Sequence, residues 1–359
     1  MSLGQEKGIR MYIGTYSEEG EDSLFLVTMD SETGELQCQA AYAEVQSPSF
    51  VIRNEAGDRL YCVSEIDIEG RAGGGAAAYR IDPLTGEASF LGRQDVQGAA
   101  PCHLALVPGE RRLVVANYSS GNVSVHGIGP GGELLELAEA HQHTGSSVHA
   151  DRQGEPHPHC IVIREGFVYV PDLGKDRIVT YRLAGDAVEG ILVPYAEAAV
   201  HAGAGPRHLV FHETLPYAYV ANELDSTVTV FAADPAEGKL TEREAVSTLP
   251  EGYKGESYVA DIHIHPNGRY LYVSNRGHDS IAVFEINQET GALRAVQHQS
   301  TLGRFPRNFA VTPDGRFLLA ANQNSDSITV LEILEAGGNL SPAGRELSLP
   351  KPVCIRFLP

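Results

Sequence analysis

No stretch of this chain is apolar for long enough to span a bilayer, and Met1 to Arg10 lack the apolar core of a signal peptide. Neither a membrane-embedded nor an exported protein is expected, and the cytoplasm is the expected location. Cysteine is scarce. Cys38, Cys62, Cys102, Cys160 and Cys354 are too few and too scattered among 359 residues for a disulfide framework or a zinc pattern. Positive charge is also short, with 27 Lys and Arg against 47 Asp and Glu and a formal net charge of −20. Such a surface repels nucleic acid and anionic membranes, so neither is an expected partner. An anionic ligand would require the arginines to be gathered locally.

What the chain does contain is a repeat. A strand-and-turn phrase recurs seven times: Tyr12-Ile13-Gly14-Thr15, Cys62-Val63-Ser64-Glu65, Val114-Val115-Ala116-Asn117, Tyr169-Val170-Pro171-Asp172, Tyr219-Val220-Ala221-Asn222, Tyr272-Val273-Ser274-Asn275 and Leu319-Ala320-Ala321-Asn322. Between last residues the steps are 50, 52, 55, 50, 53 and 47. A near-constant period means one supersecondary unit repeated. Each unit also carries an earlier prolyl landmark, such as Ala100-Pro101-Cys102-His103 or Gly205-Pro206-Arg207-His208, and only the sixth copy, Tyr258-Val259-Ala260-Asp261, lacks the proline. Alternating apolar runs such as Thr227-Val228-Thr229-Val230-Phe231, separated by turns such as Pro313-Asp314-Gly315-Arg316, are strand signals.

Each unit therefore reads as a four-stranded antiparallel sheet. Seven of them form an all-β, seven-bladed β-propeller, expected to occupy residues 1–359 as a single domain. The first phrase, Met11 to Thr15, begins at the second strand of a unit, while Pro352 to Phe357 is a first strand without followers. The two ends should complete one blade and close the ring. A closed ring with an acidic surface is expected to be a monomer.

Charge departs from the repeat at two places. The residue after each landmark should open the innermost strand and face the central channel; these are Ser49, Cys102, His159, Arg207, Ala260, Arg307 and Val353. The residue after each strand phrase is Tyr16, Ile66, Tyr118, Leu173, Glu223, Arg276 or Gln323. A purely structural repeat would hold one residue type at each place, whereas different blades contributing different chemistry to a channel mouth make a concave site. The bland alternative is that Arg207, Arg307 and Glu223 bridge blade ends as ion pairs and His159 packs under a loop.

The segment His141 to Cys160, with Gly145-Ser146-Ser147-Val148, Arg152-Gln153 and Pro156-His157-Pro158-His159, resembles the signature loop of the lactonase family of seven-bladed propellers. The likeness continues through Asp172-Leu173-Gly174, Gly205-Pro206-Arg207-His208, Asn222-Glu223-Leu224 and Ser274-Asn275-Arg276-Gly277, and so spans essentially the whole chain. The family includes propeller-type 6-phosphogluconolactonases and fungal carboxy-muconate lactonizing enzymes. By motif, the resemblance implies a catalytic set of His159, Arg207, Glu223 and Arg276. It implies a small anionic lactone as partner, in the first branch 6-phospho-D-glucono-1,5-lactone of the pentose phosphate pathway, and no cofactor.

Lactone hydrolysis needs a base for water, a stabiliser of the oxyanion, and an acid for the departing ring oxygen. Glu223 is the first candidate for base, with His159 as alternative base or as acid. Arg207 and Arg276 would clamp an anion or oxyanion through the guanidinium fork. Arg307, Arg152, His157 and His208 are further substrate-binding candidates. His141, His143, His149, His157 and His159 lie on one polar loop without metal-ligand spacing, so no metal is expected. Cys160 should point away from the side that His159 faces. Muconate cycloisomerisation at the same site, or a non-catalytic binding scaffold, are the competing readings; a scaffold would lack convergent charge at the channel mouth.

Overall fold

The computed structural model describes residues 8–66, 73–184, 191–335 and 337–358. Within these residues the strands assemble into seven four-stranded antiparallel sheets. The first blade is composite. Pro352–Phe357 is its innermost strand and pairs with Gly8–Thr15, in a register that sets Met11 opposite Phe357 and Ile13 opposite Ile355. Leu24–Asp30 and Leu36–Tyr42 complete that blade. The two ends of the chain thus close the ring, as the unpartnered first strand implied.

Burial falls from the axis outward. In the fifth blade the second strand, Tyr217–Asn222, is buried almost throughout, and the outermost, Lys239–Ser247, alternates between exposed and half-buried residues. The apolar cores lie between blades: Tyr219, Val228 and Val230 of the fifth pack with Ile262, Leu271 and Phe284 of the sixth. Stability is therefore spread over many interfaces rather than one centre.

A tyrosine ties successive blades. Tyr12, Tyr61, Tyr219 and Tyr272 each donate a hydroxyl hydrogen bond to a glycine carbonyl in an outer turn of the next blade, at Gly86, Gly132, Gly291 and Gly338. Gly291 has φ +71°, and a Cβ there would sit 2.4 Å from the Tyr217 ring, so both conformation and space demand glycine.

These tyrosines expose a register error in the reading of the second unit. Its phrase is Tyr61-Cys62-Val63-Ser64, one residue earlier than the spacing suggested, and its second strand is Arg59–Ser64. The residue that follows the phrase is consequently Glu65 and not Ile66. Backbone hydrogen bonds confirm the equivalence. Glu65 N–H donates to Ser47 O at 3.0 Å, as Tyr118 does to Ala100 O, Glu223 to Gly205 O and Gln323 to Phe305 O. The acceptors immediately precede the landmark prolines, and Ser47, Ala100, Gly205, Phe305 and Lys351 all have φ between +38° and +67°. This repeated left-handed step joins the start of each inner strand to the end of the second, and brings the two variable positions together at one end of the channel.

Candidate active site

Ten residues enclose a cavity of about 380 Å³ at this end. Cys102, His159 and Arg307 come from the position after the landmarks; Glu65, Tyr118, Glu223 and Arg276 come from the position after the strand phrases. Arg152, Tyr258 and Phe305 complete the wall. Six of the seven blades contribute, because each inner strand starts at the same height around the axis.

Glu223 is the hub of the larger charged group. Its Oε1 accepts from Arg152 Nη2 at 2.6 Å, and its Oε2 lies 2.7 Å from Arg276 Nη2 and 3.1 Å from Arg207 Nε. The last contact has ion-pair distance but poor hydrogen-bond direction, which leaves Arg207 Nε without a hydrogen-bond acceptor. Burial alone would push the Glu223 carboxyl up, but Arg276, Arg207 and Arg152 together hold it well below the usual carboxylate range. Glu223 is thus a firmly ionised anchor for three guanidiniums and a weak proton acceptor. The four residues implied by the family motif do meet, in one shared cluster rather than in separate pairs.

Arg207 sits behind Glu223, with a side chain only 2% exposed, and forms no part of the cavity wall. Its Nη1 donates to Ala260 O at 2.6 Å and to His208 Nε2 at 3.1 Å. An arginine cannot accept, so His208 Nε2 must be unprotonated and Nδ1 carries the hydrogen, which points to Asp261 Oδ1 at 2.8 Å. Burial, with Arg307 and Arg276, pushes the guanidinium of Arg207 down to about 10, which keeps it charged at neutral pH.

His159 is the titratable group best suited to exchange a proton here. Burial, then Arg207, with His208 and Arg307 contributing in the same direction, pushes its imidazole well below the ordinary value, so it is neutral at pH 7. Its buried Nδ1 makes no hydrogen bond to the protein. Tyr118 packs edge-on against the ring at 5.5 Å between centroids. Cys102 shares the cavity, but burial raises its thiol well above the normal range, which removes it as a nucleophile.

Arg307 and Arg152 both reach the cavity. Arg307 lies 3.5 Å from Glu65 and over the Tyr16 ring at 5.4 Å. His157 and His208 do not reach it. His157 stacks on the outer side of Tyr118, with Nδ1 2.9 Å from Tyr118 O. His208, one residue further along an inner strand that is bulged between Pro206 and His208, lines the other end of the channel. Cys160, just before its blade's inner strand, also lines that end and meets His103, with Sγ 3.5 Å from Nε2. The loop histidines disperse to unrelated partners, His143 to Asp172 and Tyr181 and His141 to Glu139.

Glu65 is the residue that sequence reasoning missed. It took the place of a strand-end residue because Glu65 resembles the Asn that ends other phrases; Tyr61, matching Tyr12, Tyr219 and Tyr272, was the available signal. Its carboxylate accepts the Tyr16 hydroxyl at 2.9 Å and the Ser49 hydroxyl.

The opposite end of the channel opens into a larger cavity of about 760 Å³. Its polar wall is self-satisfied: Asp261 accepts from His208, His263 and Asn308, and Phe50 stacks on His103 at 3.8 Å. No helix among the described residues is long and apolar enough to cross a membrane.

Known proteins match at the level of the whole ring. The family described as lactonase, 7-bladed beta-propeller, matches residues 10–357. A protein of Bacillus subtilis named 6-phosphogluconolactonase is 36% identical over 349 residues, 97% of each chain. One of the same name from Formosa agariphila is 32% identical, over 84% of this chain and 86% of its own. The solved structure of the periplasmic gluconolactonase of Pseudomonas aeruginosa superposes with a TM-score of 0.93 at 30% identity, over 98% of this chain and 99% of that one. With its whole ring matched and its variable positions joined in one charged cavity, this chain belongs to the lactonase family of seven-bladed β-propellers.

Proposed function

We propose that this enzyme hydrolyses a phosphorylated sugar lactone, 6-phospho-D-glucono-1,5-lactone being the substrate class the site suits best. The observation that carries the reading is the convergence of His159, Glu223, Arg276, Arg152, Arg207 and Arg307 at one mouth of the channel. Three guanidiniums on the wall and Arg207 behind Glu223, against the carboxylates of Glu65 and Glu223, leave a surplus of two positive charges. A phosphomonoester carries roughly −1.5 to −2 at pH 7, which matches that surplus. The relatives named 6-phosphogluconolactonase support the same choice. A small phosphorylated metabolite is held inside cells, so the cytoplasm goes with this reading.

In the proposed chemistry His159 is the base, since Glu223 is committed to three arginines. Neutral imidazole takes a proton from water as the water oxygen attacks the lactone carbonyl, and Arg276 with Arg152 stabilises the oxyanion. Collapse of the tetrahedral intermediate breaks the bond from carbonyl carbon to ring oxygen, and the imidazolium returns its proton to that oxygen. Glu223 holds the arginines in place throughout. The deciding experiment supplies freshly made 6-phosphogluconolactone and carboxy-muconate separately. The expected result is consumption of the first well above its uncatalysed rate. Turnover of the muconate alone would transfer the site to cycloisomerisation, and turnover of neither would leave the scaffold reading.

A further inference from the structure

We propose that Glu65 selects polyhydroxylated lactones, by accepting hydrogen bonds from ring hydroxyls that an unsaturated or deoxygenated lactone lacks. This inference rests on the lactone-hydrolysis reading and adds the part of the substrate that the arginines leave unread.

Glu65 and Glu223 occupy equivalent positions in the second and fifth blades, each held by its backbone N–H to the residue before a landmark proline. Three blades apart in a ring of seven, they face the cavity from nearly opposite sides. Their surroundings differ in kind. Glu223 is saturated by the charges of Arg152, Arg276 and Arg207. Glu65 is held by two neutral hydroxyls, from Tyr16 and Ser49, and only loosely by Arg307 at 3.5 Å. An ionised carboxylate has about four acceptor sites and no donor, so Glu65 keeps acceptor capacity toward the cavity it lines.

That chemistry is selective in both directions. A phosphate or carboxylate placed against Glu65 meets a like charge, so the anionic end of the ligand is driven away from it. A hydroxyl placed there supplies the donor that Glu65 lacks. A ligand without hydroxyls shuts water out and leaves a partly buried carboxylate short of donors, the situation in which hydrogen-bonding sites discriminate most strongly. No other carboxylate lines this cavity apart from Glu223, among the described residues.

The test compares glucono-1,5-lactone with δ-valerolactone, the same six-membered ring without hydroxyls, in the wild type and in Glu65→Gln. The amide keeps the shape and one acceptor oxygen but also presents donors. The expected outcome is a fall of about 100-fold in kcat/KM for the sugar lactone with a change of less than about 3-fold for δ-valerolactone. Inhibition constants for gluconate and hexanoate supply the same comparison as binding, independent of turnover, and gluconate alone should weaken. Equal losses on both ring types, with gluconate and hexanoate equally affected, would make Glu65 catalytic or structural and overturn the inference; so would no loss on either. A wild type inert toward every lactone is a different failure, that of the hydrolytic reading itself. Unchanged thermal melting of Glu65→Gln establishes that folded proteins are being compared.

Discussion

At the two ends of the channel, side chains that are neighbours in the chain do opposite work. His159 faces the cavity of Arg276 and Glu223, while Cys160, one residue on, packs against His103 in the layer below. Arg307 reaches the same cavity, while Asn308 donates to Asp261 beneath it. The lower layer spends His208, His263 and Asn308 on Asp261, with His208 Nε2 also accepting from Arg207. The upper layer keeps a surplus of cations and a neutral imidazole facing open space. One step along the inner segment of each blade separates the two layers, and the difference between them is the difference between a ring that is held together and a ring that can hold something else.

The sharpest way to break this comparison is a pair of adjacent substitutions. His159→Gln should lower kcat by about 100-fold with little change in melting temperature, whereas Cys160→Ser should leave kcat within about 3-fold. Burial drives the Cys160 thiol up to about 12, so it has no thiolate to lose at neutral pH. Steady-state kinetics on purified variants decide the matter, and a Cys160→Ser enzyme as slow as His159→Gln would merge the two layers.

The next effect belongs to stability. Asp261→Asn removes the charge that fixes the His208 tautomer and so the acceptor for Arg207, at a side chain 4% exposed. Breaking such a buried pair typically costs about 3–5 kcal/mol, measurable as a lowered denaturant midpoint. Loss of activity should follow only in so far as Arg207 and Glu223 shift. A variant with full stability would show that the lower layer is not the fastening it resembles.

The smallest expected effect is a dependence on pH. Burial, then Arg207, lowers His208 to about 4 against an unfolded value near 6.5. Between these values the unfolded chain binds a proton that the folded chain refuses, so stability is present above about pH 6.5 and is lost as pH falls toward 4. This one group accounts for roughly 3 kcal/mol over that window. His208→Gln should flatten that part of the melting-temperature profile; an unchanged slope would assign the acid sensitivity to other groups such as His159 and His103.

Much of the fold could be read before any coordinate, because each blade is written locally. Alternation marks the strands, Pro and Gly mark the turns, and seven copies average out the ambiguity of any one. The second copy shows the limit. Ser64 stands where other blades have Asn, and Glu65 is polar enough to be mistaken for it, so the spacing alone placed Ile66 at the mouth. A slip of one residue reverses the faces of a strand, and here it hid a carboxylate. His208 was misjudged for a related reason: the motif around Arg207 identifies the segment but not which of its consecutive side chains turns toward the cavity.

By itself the sequence determined the number of blades, the closure of the ring by its two ends and the end of the channel where charge gathers, since these follow from local periodicity repeated around an axis. Only the tertiary structure decided which charges are spent on one another. Glu223 is neutralised by Arg152 from a loop and by Arg207 and Arg276 from two blades, whereas Glu65 accepts hydroxyl hydrogen bonds from Tyr16 and Ser49. Those contacts join residues 16 to 71 positions apart, and the protonation and availability of each group depend on distances of a few ångströms that no pattern along the chain encodes.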